Sequence, residues 1–182
     1  MAITTANEIF VHELGDIFDA EHRFEKGQHD LLKHTTDTSL KEAIHMHAEQ
    51  TKQQIDTLHK AFEILGLPSR GVQCQTAEAL VSEGHDMLKE IEVPAVRDVA
   101  IASAAARIEH YEIASYRGLV AMTRAMGQEA VAGLLEKNLR QEEQTAQALE
   151  RMLPLLLQKA LHAQVDGAQR GATVETARDR VR

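Results

Sequence analysis

The stretch RIEHYEIASYRGL, residues 107–119, determines the fold predicted for this 182-residue chain. Its apolar residues recur every three or four positions, as on the buried face of an amphipathic helix, and Glu109 and Glu112 fall on that face. A carboxylate in a dry core is costly unless it is paired, protonated or bound to a cation. The stretch therefore predicts a long helix in a bundle, with a functional cluster inside the bundle.

Two more predicted helices carry a glutamate on an apolar face. Glu21 lies between Ile17 and Phe24 on the first helix, and Glu142 follows Leu139 on the last. Two carboxylates about 4 Å apart repel by about 4 kcal/mol at an effective dielectric near 20. A divalent cation removes this repulsion, so the pattern predicts a metal site. Oxygen-rich ligands suit iron or manganese, as one or two ions, better than zinc.

Apolar periodicity and helix start and stop signals divide the chain into five predicted helices. Capping-box spacings mark two of the starts, and glycines mark two of the ends. A polar break at 35–38 and a linker at 67–75 separate the early helices. In chain order the predicted helices are helix A from Thr5 to His34, helix B from Ser39 to Gly66, a shorter helix from Thr76 to Glu92, helix C from Pro94 to Met126, and helix D from Gln128 to the early 160s.

This pattern predicts an all-α protein, an antiparallel four-helix bundle with one additional shorter helix between helices B and C. The bundle domain is predicted to span residues 1–163. Pro154 should kink or divide helix D, because proline removes a helical hydrogen bond. Residues 164–182 lack apolar periodicity and contain four arginines, which indicates a flexible C-terminal tail.

The register of the predicted hairpins brings the glutamates to one height. Glu112 and Glu142 each lie 15 residues from Gly127, where helices C and D fold back. Glu21 and Gln50 lie at similar distances on either side of the break between helices A and B. With a rise of about 1.5 Å per residue, all four helices then contribute to one layer. The apolar faces and the hairpin register are independent features of the sequence, and both indicate that the glutamates converge.

The sequence does not decide which side chain of helix B enters this layer. Gln50 is favoured over Glu49 because Glu49 projects towards the opposite side of the helix, although a carboxylate is the better ligand. His47 lies on or beside the apolar face, and it is either a ligand or an ordinary histidine at the edge of the core. A structural hydrogen bond is favoured over ligation for Gln50 and Gln54.

An inward glutamate on two helices, with ligands three residues apart on the other two, is the pattern of ferritin-like di-iron proteins. Over about residues 5–160 the chain resembles the YciE/YciF ferritin-like proteins of bacteria. The resemblance implies a ferritin-like bundle with a metal site, a homodimer and a role in the stress response, but no reaction. It is carried by AEHRF at 20–24, HMHAEQTKQQI at 45–55, RIEHYEIASYRGL at 107–119 and LRQEEQ at 139–144.

The chain departs from the family pattern at two positions. The family has glutamate where this chain has Gln50, and ferritin-like sites often have histidine three residues after the position of Glu142, where this chain has Thr145. These departures favour a single ion, weaker binding, or recruitment of a neighbouring side chain. The predicted metal ligands are Glu21, Gln50, Glu109, Glu112, Glu142 and His47.

Bulk properties exclude some partners. The net charge of −8 argues against binding nucleic acid through a basic surface. No apolar run reaches the length of about 18 residues that indicates a membrane span. A single cysteine and no signal-peptide pattern predict a cytoplasmic protein.

Two functions are weighed. The first is a stress-related iron- or manganese-binding protein whose site handles peroxide, oxygen or Fe(II). The second is a non-catalytic dimeric stress or interaction protein whose metal site is structural or degenerate. An iron-storage subunit is less favoured, because a helix is inserted between helices B and C.

Overall fold

The computed structural model describes residues 2–179, and its side chains as far as residue 163. This part of the chain is helical and contains no strand, which confirms the all-α prediction. Among these helices, none combines the length and the apolar character that crossing a membrane demands. The helices are α1 Ala6–His34, α2 Thr38–Ile64, α3 Gln75–Glu90, α4 Pro94–Ala125 and α5 Glu129–Asp179.

Four helices form a ring in the order α1, α2, α5, α4, and each packs against the next. The short connections between α1 and α2 and between α4 and α5 make two helical hairpins. The shorter helix α3 packs against α4 and α1 from outside the ring. The structure is therefore the predicted four-helix bundle with one added helix.

The helix starts follow local capping chemistry. The predicted capping box of α1 is present, because Thr5 and Glu8 each bond the backbone N–H of the other. The capping box predicted for Ser39 and Glu42 is wrong. Asp37 caps α2 instead, since its carboxylate accepts a hydrogen bond from the Leu40 N–H at 3.1 Å.

Glycines end two of the helices, as predicted. Gly66 and Gly127 have φ angles of 65° and 70°, in the left-handed region that is strained for residues with a Cβ. After each glycine, the next residue bonds back to the helix: Leu67 N–H donates to Phe62 O, and Gln128 N–H donates to Thr123 O, both at 2.9 Å. These bonds satisfy carbonyls that would otherwise lack partners at the helix end.

A buried carboxylate near the start of α4 joins this helix to the α1–α2 connection. Asp98 is 3% exposed. It accepts hydrogen bonds from Thr36 N–H at 2.8 Å, Thr36 Oγ1 at 2.6 Å and Asp37 N–H at 2.9 Å. The bonds span more than 60 residues of sequence, so they fix the α1–α2 hairpin to α4 at one end of the bundle.

Replacing Asp98 by alanine should destabilise the fold. The change leaves two backbone N–H groups without their acceptor, at a cost of roughly 2–3 kcal/mol. For a domain of this size the melting temperature should fall by roughly 4–12 °C, measured by circular dichroism. Asp56→Ala is the matched control because Asp56 is exposed on α2. Equal melting temperatures for the two variants would contradict this role of Asp98.

The last helix is longer than predicted. Its backbone is helical to Asp179, whereas an end in the early 160s was expected. Residues 161–182 include four alanines and four arginines, which favour helix. Pro154 lies inside α5 and does not divide it. The flexibility predicted for 164–182 stays a prediction, and residues 180–182 lie outside the described part.

The apolar interior consists of two clusters of buried side chains. On α2 and α5 they leave a gap between them, and this gap is occupied by polar side chains. The first cluster includes Phe10, Leu14, Ile17, Phe24, Leu58, Phe62, Leu119 and Leu135. The second includes Leu31, Leu40, Ile44, Ile101, Ala105, Leu149 and Leu156.

Candidate metal centre

Four side chains converge in the gap between the two apolar clusters. His47 comes from α2, Glu109 and Glu112 from α4, and Glu142 from α5. Each offers one ligand atom, and these atoms all lie within 4.8 Å of one another. Three helices thus contribute to a single group of three carboxylates and one imidazole.

Helix geometry explains how α4 supplies two carboxylates. Glu109 and Glu112 are three residues apart, so they project from the same face of α4. His47 reaches them from the opposite hairpin, with Nε2 3.1 Å from Glu109 Oε1 and 3.8 Å from Glu142 Oε2. The other ring nitrogen, Nδ1, lies 3.4 Å from Thr145 Oγ1. The imidazole therefore presents Nε2 to the carboxylates.

Glu21 of α1 lies beside this group and is held by a short polar chain. The Tyr116 hydroxyl donates to Glu21 Oε1, and Asn138 Nδ2 donates to the Tyr116 hydroxyl at 3.0 Å. On the other side, Gln54 Nε2 donates to Glu142 Oε1. The bonds to Glu21 and Glu142 each occupy one carboxylate oxygen, and the second oxygen of each group has no hydrogen bond.

The carboxylate oxygens of the four glutamates that have no hydrogen bond determine what the site can bind. Among the described residues, no lysine or arginine lies within ion-pairing distance of these carboxylates, each no more than 1% exposed. His47 Nε2 also lacks a hydrogen bond, although it lies close to Glu109, because the two atoms are not aligned for one. Buried polar atoms normally have partners, and a cation would supply one. The oxygens without a partner are Oε2 of Glu21, Glu109, Glu112 and Glu142.

Burial and mutual repulsion raise the pKa of all four carboxyl groups. For Glu109 the pKa is raised to about 8: burial is the largest cause, a hydrogen bond with Glu142 partly opposes it, and the charge of Glu21 adds to it. For Glu21 and Glu112, burial and then the charge of Glu142 hold the pKa well above its ordinary value. For Glu142, burial acts first and the charge of Glu109 second. Without a cation, the cluster therefore retains protons that free glutamates would lose.

Helix α2 presents a slightly different face to the site than the sequence suggested. Gln50 is half-buried at the rim, where its Oε1 accepts from Thr145 Oγ1 at 3.5 Å. Glu49 is exposed and pairs with Lys52 at 2.6 Å, outside the site. The fully buried polar residues of α2 nearest the site are His47 and Gln54. Thr145 thus connects Gln50 to His47, because its hydroxyl contacts both side chains. Gln50 is not part of the group formed by His47 and the three glutamates.

Sequence reasoning overlooked Asn138. It is fully buried, and its Nδ2 group donates to the Gln54 carbonyl oxygen at 3.3 Å as well as to Tyr116. A signal was available, since Asn138 lies four residues before Glu142 and thus on the same helical face. Asn138 and Glu142 are thus two polar residues on one apolar face of α5. Such a pair indicates that Asn138 takes part in the hydrogen bonds around the site.

Sequence comparison finds relatives over most of the chain. Residues 5–162 match the model of a domain of unknown function, DUF892. Protein YciF of Escherichia coli strain K12 is 32% identical over 146 residues, which cover 80% of this chain and 88% of that protein.

Solved structures with the same fold include three bacterial proteins. The E. coli stress protein YciF superposes with a TM-score of 0.82 at 30% identity, covering 86% of this chain and 99% of that one. YcfI from Rhodopseudomonas palustris, described as a structural protein, gives 0.80 at 32% identity, covering 81% and 94%. A Xanthomonas campestris pv. campestris protein gives a TM-score of 0.73 at 24% identity over 88% of this chain and 99% of that chain, a likeness of fold alone.

Proposed function

Because the chain belongs to the YciF-like DUF892 family, we propose that it is a stress-related bundle protein that binds iron or manganese. The observation that supports this proposal is the set of four buried carboxylates whose second oxygens have no partner. Oxygen ligands with one imidazole suit iron or manganese, whereas zinc favours nitrogen and sulfur.

The proposed ligands are His47, Glu109, Glu112 and Glu142, with Glu21 as the carboxylate beside them. Two uncharged residues orient this set, since Gln54 bonds Glu142 and Tyr116 bonds Glu21. Gln50, proposed from the sequence, contributes through Thr145 to the position of His47. Such neighbouring hydrogen bonds fix ligand orientation and tune affinity.

A bound iron or manganese ion would supply redox reactivity towards peroxide, oxygen or Fe(II). The glutamates would act as ligands, and their negative charge would favour the higher oxidation state of the ion. The surrounding apolar clusters exclude water, which strengthens the attraction between the carboxylates and the cation. The cytoplasm is the proposed location, and a homodimer is the proposed assembly.

Metal content tests the proposal. Iron and manganese per chain should be measured by plasma mass spectrometry on protein purified without chelator or metal-affinity tag. One or two ions per chain are expected, and two would indicate a dinuclear site. A metal-free protein that takes up neither added Fe(II) nor added Mn(II) would contradict the proposal.

Gln50→Glu tests whether the rim of α2 limits the number of ions. The variant restores the carboxylate that the family carries at this position, and we expect more metal per chain or tighter binding. Uptake of Fe(II) under anaerobic conditions provides the measurement. Gln53→Glu makes the same chemical change at an exposed position of α2 and should have no effect. Identical uptake by the two variants would mean that residue 50 does not face the site.

A second function is a non-catalytic dimeric stress or interaction protein with a structural or degenerate metal site. The amide of Gln50 favours it, because a neutral amide is a weak ligand for a hard cation. The description of the R. palustris relative as a structural protein also agrees with it. This function predicts at most one ion per chain and no turnover of peroxide. Light scattering would distinguish its dimer from the large assembly of an iron-storage shell.

A further inference from the structure

An apolar cavity leads to the proposed metal ligands from the side covered by α3. Its free volume is about 30 Å³, and two of the proposed ligands, His47 and Glu109, line it. Its walls are almost entirely apolar, with Ala105 and Ile108 from α4 and Ile44 from α2. We call this space the α3 cavity. The carboxylate group therefore has one apolar approach on the side of α3.

Small residues keep the α3 cavity open. Gly27 of α1, Gly84 of α3 and Ala104 of α4 all line it. A Cβ atom placed on Gly84 would lie 3.9 Å from Ala104 Cβ, and one on Gly27 would lie 3.3 Å from Val81 Cγ2. Longer side chains on these facing surfaces would fill the space between the helices.

The outer end of the α3 cavity adjoins a surface cleft between α1 and α3. The two spaces share Gly27, Val81 and His85. The cleft is larger, about 420 Å³, and is lined by charged residues of both signs. Val81 and His85 are half-buried, and His85 Nε2 lies 3.7 Å from Asp30 Oδ2. These two side chains therefore line both the charged cleft and the apolar cavity, where the two spaces adjoin.

The size and polarity of the α3 cavity select what can pass through it. A water-sized molecule requires roughly 10–15 Å³ of such volume, so the cavity suits one or two small molecules. An ion entering an apolar space loses its hydration, at a cost that can reach tens of kcal/mol. Hydrogen peroxide would also lose hydrogen bonds there, whereas dioxygen makes none to lose. Dioxygen is therefore the oxidant that fits this space.

We propose that the α3 cavity is the route by which dioxygen reaches the metal centre, past Val81 and His85 to His47 and Glu109. This inference rests on the proposed metal-binding function and adds the substrate class to it. Metal ions must then enter by another path, so the supply of metal and the supply of oxidant are separate in this protein.

The first test uses metal-free protein, so its outcome does not depend on metal binding. Dissolved dioxygen enhances the relaxation of nearby methyl protons in nuclear magnetic resonance spectra. The enhancement should be larger at the methyl groups of Ala105 and Ile108, which line the cavity, than at those of Leu14 and Ile17, which are buried but do not line it. Equal enhancement at all four residues would overturn the proposal.

A blocking variant extends the test to loaded protein. Ala104→Leu should abolish the excess relaxation at Ala105 and lower the initial rate of dioxygen consumption by Fe(II)-loaded protein severalfold. Anaerobic Fe(II) uptake should stay unchanged. Ala114→Leu, an exposed position on the same helix, is the matched control. Gly84→Ala, whose added Cβ fits at ordinary contact distance, should retain the fold and reduce the relaxation in part.

The outcomes separate the two proposals. Oxygen consumption by Ala104→Leu at the rate of the parent would overturn the route while leaving the metal site intact. Failure of the parent protein to bind any metal would overturn the proposed function, and the relaxation of the metal-free protein would still decide whether dioxygen enters the α3 cavity.

Discussion

Replacing Glu142 by glutamine should raise the melting temperature of the metal-free protein and lower that of the metal-loaded protein. Without metal, the change removes one of four buried acidic groups whose raised pKa destabilises the folded state at neutral pH, because each group must take up a proton or carry a buried charge on folding. The amide oxygen can still accept the hydrogen bond from Gln54, so packing is preserved. With metal, the same change removes a ligand.

The size of the effect in loaded protein follows from binding. An ion at about 100 times its dissociation constant stabilises the folded state by about 2.7 kcal/mol. For a chain of this size that corresponds to a rise in melting temperature of roughly 5–11 °C, most of which Glu142→Gln should lose. Calorimetry with and without a chelator gives both values for each protein.

The neighbouring residue provides the control for this experiment. Glu143 pairs with Arg117 on the surface at 2.7 Å, so Glu143→Gln removes the same charge one residue away. A surface pair contributes about 0–1 kcal/mol, so both melting temperatures should stay near those of the parent. A Glu142→Gln variant that melts like the parent in both states would contradict the ligand assignment.

The metal-free protein should become less stable as the pH rises from about 5 to 8. The pKa of each buried carboxyl group is raised on folding, so the native state binds more protons than the unfolded state in this range. Stability therefore falls with rising pH, from the unfolded value of 4.5 up to about 8 for Glu109. For the other three groups the fall begins at the same unfolded value and ends at their own raised pKa.

Urea unfolding between pH 5 and pH 8 in the presence of a chelator measures this slope. Glu109→Gln should flatten it, and saturating Mn(II) should reverse it, because metal competes with protons for the same oxygens. Glu49→Gln is the control, since Lys52 lowers the pKa of Glu49 and its titration lies below this range. A stability that is constant between pH 5 and pH 8 without metal would show that the cluster is not buried as described.

Much of the fold could be predicted from local signals in the sequence. The capping box at Thr5 and the two helix-ending glycines depend on neighbouring residues only, and all are present. The start of α2 is not decided by local sequence because Ser39 and Asp37 both have capping chemistry, and the bond from Asp37 N–H to Asp98, which lies far along the chain, favours Asp37. The length of α5 was underestimated because apolar periodicity stops where the bundle stops, while helix propensity continues.

The site was less predictable than the fold, and α2 shows why. The glutamates could be identified because few roles other than a functional one explain an acidic residue on an apolar face. The hairpin register then placed them at one height in the bundle. The inner polar side chains of α2 depend on the rotation of that helix about its axis, because residues 49 and 50 differ by about 100° around it. The structure places His47 inwards and Gln50 at the rim, and a small rotation suffices to exchange such positions.

The two apolar clusters on either side of the carboxylates have a consequence for the evolution of this chain. Each cluster buries its own side chains, so the fold does not depend on the glutamates between them. Well-packed apolar replacements for buried charges are often neutral or stabilising by about 1–4 kcal/mol. Random substitution would therefore tend to erase these four acidic residues from an idle protein. The presence of all four in one buried layer therefore agrees with the proposed metal-binding role.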